Sequence, residues 1–79
     1  MVMKIYAENK CGVLTRITGM FMKKSYNIIS LTAVEDTDPE YAIITVVFDG
    51  DEYAETQLPN QITKLFNVKW AKLCESDNQ

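Results

Sequence analysis

The order of strand-like and helix-like hydrophobic patterns along the 79 residues constrains the fold more than any other feature. From Val2 to Glu8 apolar and polar side chains alternate one by one, which is typical of a strand with one buried face. From Val13 onward apolar residues recur at helical spacing, and this segment closes at Lys23 and Lys24, where cations suit the helix dipole. The helical stripe consists of Val13, Leu14, Ile17, Met20 and Phe21. We therefore predict a strand followed directly by a helix.

Three further segments have strand character. The segments from Asn27 to Val34 and from Tyr41 to Phe48 are rich in β-branched and apolar residues. A short polar turn around Pro39 separates them, so we expect them to form an antiparallel hairpin. The segment from Asn67 to Cys74 is predicted as the last strand.

A second helix is expected between the hairpin and the last strand. It opens after Asp49-Gly50-Asp51 and places Leu58, Ile62 and Leu65 on one face. Pro59 falls inside this stripe. A proline in a helix interior removes a hydrogen bond and clashes with the preceding turn, at a cost of about 3 kcal/mol. We therefore expect Pro59 to kink the helix or to split it.

The predicted order β-α-β-β-α-β defines the fold class. Two right-handed crossovers around a hairpin give an α+β, ferredoxin-like sandwich, a four-stranded antiparallel sheet with both helices on one face. We expect residues 1–75 to form a single domain and residues 76–79 to be a solvated tail. Apolar residues run together in the second and third strands, whereas a sheet with one solvated face should alternate. This predicts that another subunit covers the open sheet face or an edge.

Charge and residue types argue against several functions. Eight basic and eleven acidic residues give a net charge of −3, which opposes binding to a phosphate backbone. Tyr6 and Phe48 are available on the predicted strands to stack on RNA bases, but residues 25–63 carry eight acids and no base. Histidine is absent, and with it the commonest general base and metal ligand. We expect no catalytic residue, no cofactor, no metal and no nucleic acid.

The ends of the chain and its cysteines bear on location. No apolar run is long enough to cross a membrane, and the N-terminus has no signal-peptide pattern. We therefore expect a cytoplasmic protein without a membrane partner. Thiols stay reduced in that compartment, so Cys11 and Cys74 are expected to be free.

The turn Asn9-Lys10-Cys11-Gly12 is the one segment that resembles a binding site. It leads into a helix N-terminus, whose first N–H groups lack intrahelical partners and carry positive partial charge. Gly12 would let a ligand approach the backbone, so that the N–H groups of Val13 and Leu14 bind an anion. The same residues also fit a plain tight turn, and their spacing alone does not decide between the two interpretations.

Two longer motifs carry a resemblance to a known family. The first runs Glu8-Asn9-Lys10-Cys11-Gly12-Val13-Leu14-Thr15-Arg16-Ile17, with Gly19 and Phe21 after it, and the second runs from Ser25 to Thr32. They resemble EN-x-x-GVL-x-R-I/V-x-G-x-F followed by GYNI-x-SL-T. This is the pattern of the ACT domain in the small regulatory subunit of acetohydroxyacid synthase, also called acetolactate synthase. The similarity continues to Val68 and covers nearly the whole chain.

The resemblance implies a non-catalytic subunit that activates the thiamine-diphosphate-dependent catalytic (large) subunit of acetolactate synthase, in branched-chain amino acid biosynthesis. In many family members valine, a small amino acid, is the feedback effector, and the effector lies between two ACT domains. Valine and isoleucine are both branched-chain amino acids. The implied effector positions are Asn9, Gly12, Val13 and Leu14 of one subunit and Asn27 and Ile28 of the other. A homodimer is therefore expected.

Three residues depart from the family pattern. Cys11 stands where proline or serine is usual, and Pro59 interrupts a helix that is regular in the family. Ser25 replaces a glycine that ends the first helix, which costs about 1 kcal/mol where the backbone is left-handed. Typical members also have a second, C-terminal domain. The alternative interpretation is a free-standing ACT-type dimer that acts as an interaction module without an effector, and a third is an enzyme in its own right.

Overall fold

A computed structural model describes residues 1–74. The elements are β1 (Val2–Glu8), α1 (Val13–Lys23), β2 (Asn27–Glu35), β3 (Tyr41–Asp49), α2 (Glu52–Thr56), α3 (Leu58–Thr63) and β4 (Val68–Cys74). This order confirms the β-α-β-β-α-β prediction, with the second helix in two pieces. The predicted tail at 76–79 and the predicted domain end at 75 lie outside the described residues.

The four strands form one antiparallel sheet in the order β2-β3-β1-β4. In its centre Ile5 of β1 lies opposite Ile44 of β3 on one side and Ala71 of β4 on the other. The strands β2 and β4 are the sheet edges, and each pairing has one irregularity, after Ile28 in β2 and after Tyr6 in β1. The predicted ferredoxin-like α+β fold is confirmed.

The core lies between the helices and one face of the central strands. Every second residue of β1 and β3 faces it and is buried, namely Met3, Ile5, Ala7, Ala42, Ile44, Val46 and Phe48. Phe21 of α1 packs on Phe48 edge to face, with ring centroids 4.8 Å apart. The expectation that Phe48 is available to stack on RNA is wrong, because the even positions of β3 point toward the helices. Tyr6, in contrast, lies on the opposite face.

The helix α1 is held by three residues one turn apart. Val13, Ile17 and Phe21 are buried in the core. Leu14 was also expected in the buried stripe, but it is 37% exposed. Leu14 lies in the first turn of α1, beside the row formed by Val13, Ile17 and Phe21, where the helix extends beyond the part of the sheet that it covers. That position directs Leu14 toward the site described below.

Pro59 splits the second helix, as predicted. The helix α2 ends at Thr56, and α3 restarts at Leu58 with Pro59 in its first turn. A missing N–H is harmless there, because first-turn N–H groups have no intrahelical partner. Leu58 and Ile62 of the predicted stripe are fully buried, and Leu65 is half-buried against the same core. No helix within residues 1–74 is long and apolar enough to cross a membrane.

The chain reverses after α1 through a left-handed residue. Ser25 has φ 63°, the conformation in which the family pattern has glycine. The N–H of Tyr26 donates to the carbonyl of Phe21 at 3.0 Å, and the N–H of Ser25 donates to that of Met22 at 2.9 Å. These bonds satisfy carbonyls that the end of the helix leaves free.

We expect Ser25→Gly to raise the free energy of unfolding by up to about 1 kcal/mol, because glycine adopts this conformation without strain. Equilibrium denaturation measures the change. Lys24→Gly is the control, since Lys24 has φ −91° and gains nothing from glycine. It should lower stability by about 0.5–1 kcal/mol. Equal destabilisation by both substitutions would contradict the prediction.

Candidate functional site

A cleft of about 340 Å³ opens where the β1–α1 turn meets β2 and β3. Its residues come from the turn and the first turn of α1 on one side, and from Ala33, Ala42 and Ile44 on the other. The two alanines leave room that larger side chains would fill. The volume lies within the range of small-molecule sites in proteins, which is about 300–1,000 Å³.

Asn9 fixes the turn against the hairpin. Its Nδ2 donates to Glu35 Oε2 at 3.3 Å and to the Pro39 carbonyl at 3.2 Å. Its backbone N–H donates to the Glu40 carbonyl at 2.7 Å. The side-chain nitrogen therefore holds the loop, and no residue within 1–74 donates to Oδ1. This oxygen is the atom that Asn9 presents as an acceptor.

Gly12 sets the direction of the helix. Its φ of 90° is left-handed, and a Cβ there would meet no atom within 4 Å. Glycine is thus required by the backbone conformation and not by crowding, and open space lies in front of it. Arg16 begins the helical hydrogen bonds by donating its N–H to the Gly12 carbonyl at 3.1 Å.

The free backbone N–H groups lie one residue further along than expected. The Val13 N–H donates to the Lys10 carbonyl at 3.2 Å, so the prediction that it is free is wrong. The reason is the left-handed turn at Gly12, which brings the Lys10 carbonyl into reach. Within the described residues, the N–H groups of Leu14 and Thr15 have no backbone acceptor. Sequence patterns gave no signal for this shift.

A polar network buttresses the turn from the other side. Asn67, which is only 8% exposed, donates from Nδ2 to Glu8 Oε1 at 2.9 Å. Arg16 Nη1 donates to Asn67 Oδ1 at 2.9 Å, and Lys10 Nζ lies 3.3 Å from Glu8 Oε1. The bond from Asn67 and the cation of Lys10 hold the pKa of Glu8 below its ordinary value. Sequence reasoning missed this network, because its members are up to 59 residues apart.

Asn27 and Ile28 lie away from the cleft within one chain. Ile28 is opposite Phe48, whereas Ala33 of the cleft is opposite Ile44. At about 3.3 Å per residue, the five steps along β2 separate the two positions by roughly 16 Å. The structure therefore brings together four of the six predicted positions, which are Asn9, Gly12, Val13 and Leu14.

Both cysteines are free thiols, as predicted. Cys11 is exposed at the rim of the cleft, and Cys74 is half-buried at the end of β4. Within residues 1–74 no three His, Cys, Asp or Glu side chains are grouped so that they could hold a metal ion.

Comparison with known proteins decides the family. The model of the AHAS small subunit-like ACT domain, where AHAS is acetohydroxyacid synthase, matches residues 3–69. The chain belongs to this family. The ACT domain inferred from the two sequence motifs is thus confirmed.

Curated relatives carry the same description. The chain is 36% identical over 67 residues to the acetolactate synthase isozyme 3 small subunit of Escherichia coli K12, covering 85% of this chain and 41% of that protein. It is 33% identical over 78 residues to the acetolactate synthase small subunit of Haemophilus influenzae, covering 98% and 48%. This ACT-domain chain therefore spans about half the length of the curated relatives it matches.

A solved structure has the same fold. The crystal structure of the acetolactate synthase small subunit from Thermotoga maritima superposes with a TM-score of 0.78 at 25% identity. The match covers 90% of this chain and 44% of the other. The ACT domain here thus corresponds to part of that subunit.

We expect Asn67→Ala to lower the free energy of unfolding by about 1–3 kcal/mol, because the buried Asn67 amide makes hydrogen bonds to two charged groups, Glu8 and Arg16, and the variant loses both. Urea denaturation measures the loss. Asn60→Ala, at an exposed position of α3, is the control and should be near neutral.

The effect of Asn67→Ala should depend on pH. A carboxyl whose pKa is lowered by folding contributes stability above its unfolded pKa, and this is lost as the pH falls through the folded pKa. The difference between wild type and variant should be full at pH 7 and shrink below the ordinary Glu8 value of 4.5. A difference that does not change with pH would show that Asn67 acts independently of Glu8.

Proposed function

We propose that this ACT domain, residues 1–75, is the non-catalytic regulatory module of an acetolactate synthase and binds a branched-chain amino acid such as valine. It works as a homodimer in the cytoplasm together with the catalytic subunit of that enzyme. The observation that carries the proposal is the cleft at the β1–α1 turn, with backbone donors on one side and small apolar residues on the other. We infer the identity of the regulated enzyme from the names of its relatives, which are acetolactate synthase small subunits.

The walls of the cleft match the three parts of valine. The α-carboxylate binds the N–H group of Leu14, which lines the cleft, and that of Thr15 next to it, at the positive end of the 11-residue helix α1. The ammonium group donates to Asn9 Oδ1. The isopropyl group packs against Ala33 and Ile44, which gives an apolar pocket with a few convergent polar groups.

The edge strand β2 supports the homodimer. It carries no charged residue from Asn27 to Val34, and Ile29 and Val34 are 59% and 62% exposed. An exposed and uncharged edge is a template for pairing with another strand, and beyond the irregularity after Ile28 the register of β2 is regular from Ser30 to Glu35. Antiparallel pairing of two β2 strands about a twofold axis would extend the sheet from four strands to eight.

Such pairing would also complete the cleft. In an antiparallel pair, the Asn27 end of one strand lies opposite the Ala33 end of the other. Asn27 and Ile28 of the partner would then reach the cleft that is about 16 Å away within one chain. This is the arrangement that the family resemblance implies.

We expect Gly12→Asp to weaken valine binding roughly tenfold to a hundredfold, because its carboxylate occupies and repels the place of the ligand's carboxylate. Loss of one charge-assisted hydrogen bond, about 1.5–3 kcal/mol, accounts for this range. Isothermal titration with valine measures the affinity. Gly12→Asn is the matched control, since it has nearly the same size, tolerates φ > 0 and carries no charge.

Equal valine affinity in the two Gly12 variants would contradict the proposed carboxylate site. If the wild-type chain dimerises and binds no amino acid, the effector-free interaction module is the better interpretation.

We expect light scattering at micromolar concentration to give twice the mass of the chain. Substituting Ile29→Lys and Val34→Lys together should produce a monomer, because charges on an edge strand oppose strand pairing. The control is Asn60→Lys on the surface of α3, which should remain a dimer. A dimer that survives the β2 substitutions would place the interface elsewhere.

A further inference from the structure

A continuous row of aromatic rings crosses the open face of the sheet, on the side away from the helices. The Tyr41 and Tyr6 ring centroids are 5.2 Å apart with planes at 16°, and those of Tyr6 and Trp70 are 5.6 Å apart at 17°. Lys69 Nζ lies 5.5 Å from the Tyr41 centroid, and Lys72 Nζ lies 5.1 Å from the Trp70 centroid. We call these five residues the aromatic row.

Local sheet geometry fixes the aromatic row. Tyr6 and Trp70 are direct partners in the β1–β4 register, and the irregularity after Tyr6 makes Lys69 an extra residue on β4. A bulge of this kind redirects a side chain, and here Lys69 reaches Tyr41. The Tyr6 hydroxyl donates to Asp36 Oδ2 at 2.5 Å, which raises the pKa of Tyr6 to about 12. Tyr6 therefore remains a neutral hydrogen-bond donor near neutral pH.

Lysine side chains gather at the Trp70 end of the aromatic row. Lys4, exposed on the same face, lies directly opposite Lys72 in the register. Like charges in such cross-strand pairs are destabilising.

The lysines of this face have no close ion-pair partner within the described residues. Lys4, Lys69 and Lys72 form no ion pair within residues 1–74, although the whole chain is acidic, with a net charge of −3. Two carboxylates lie at the Tyr41 end of the face: Glu8, which pairs with Lys10 and also attracts Lys69, and Asp36, which keeps its negative charge while it accepts a hydrogen bond from the neutral Tyr6. The opposed Lys4 and Lys72 lie away from both of them. A partner that brings carboxylates to this face would relieve the repulsion between Lys4 and Lys72.

The chemistry of the face favours a protein surface over the other occupants. Single-stranded nucleic acid binds through its phosphate charges as well as by base stacking, and the net charge of −3 opposes this. A second copy of the same face would oppose lysine with lysine. Half-buried Ile43 is the β3 partner of Tyr6, and half-buried Val2 and Val47 pair with each other further along the same face. Together with the rings they offer the apolar surface that protein interfaces require.

We propose that the open face is the docking surface for the catalytic subunit of acetolactate synthase, through a part of that subunit that carries carboxylates around an apolar centre. This rests on the proposed function, which supplies the identity of the partner. Pairing of two β2 strands edge to edge leaves the face free, so the dimer presents two open faces on one continuous sheet. Docking and effector binding then use opposite sides of the sheet.

The test measures the dissociation constant between the full chain and the purified catalytic subunit from the same organism, by calorimetry at low salt. Reversing two charges of the face, Lys4→Glu with Lys72→Glu, should weaken the complex tenfold or more, because charge complementarity is lost. Lys23→Glu with Lys64→Glu, on exposed residues of the helix side, makes the same change in net charge and should alter the constant less than twofold. Trp70→Ala should also weaken the complex.

The controls separate the two proposals. Both double variants should keep the wild-type circular dichroism, dimer mass and valine affinity. A wild-type chain that fails to bind the catalytic subunit overturns the proposed function and this inference with it. Binding by wild type that the Lys4/Lys72 reversal leaves unchanged overturns only this inference. If the reversal dissociates the homodimer, the face is an interface between two copies of this chain. If the wild-type chain binds an oligouridine probe and the reversal abolishes that binding, the face binds nucleic acid. Either result overturns this inference.

Discussion

The rest of the molecule depends on the edge-to-face contact between Phe21 and Phe48, whose ring centroids are 4.8 Å apart. It fixes α1 over the two central strands, and both rings are fully buried. Because α1 is only 11 residues long, anchoring its last turn here determines where its first turn ends up, beyond the covered part of the sheet near β2. The cleft, the exposed Leu14 and the uncovered edge strand all follow from that placement.

The elements were predictable because each leaves a local signature. Alternation defined β1, Pro59 divided the second helix, and Ser25 was found in the left-handed conformation for which the family pattern has glycine. The site was only partly predictable. The hydrogen bond from the Val13 N–H to the Lys10 carbonyl depends on the φ of Gly12. The hydrogen bonds of Asn67 join segments that are distant in sequence. Neither produces a periodic pattern along the chain.

A chain of this length keeps a large share of its surface in contact with solvent, since a domain of about 80 residues buries only about 60–65% of the surface that its unfolded chain exposes. The sheet divides that surface into regions of different chemistry. Its helix side is an apolar layer except at the cleft, its β2 edge carries no charge from Asn27 to Val34, and its open face combines aromatic rings with lysines. These regions do not overlap, so the ligand, the second copy and the protein partner proposed above would not compete for one surface.

The two alanines of the cleft have an evolutionary consequence. At Ala33, which is exposed in a β-strand, a valine would improve strand propensity and add apolar burial while it fills the space. Closing the cleft is therefore easy for the fold, and random substitution favours it unless ligand binding is under selection. In this architecture, sensitivity to a small molecule is lost more readily than the scaffold, and lineages that no longer need the signal would retain a stable domain with a closed pocket.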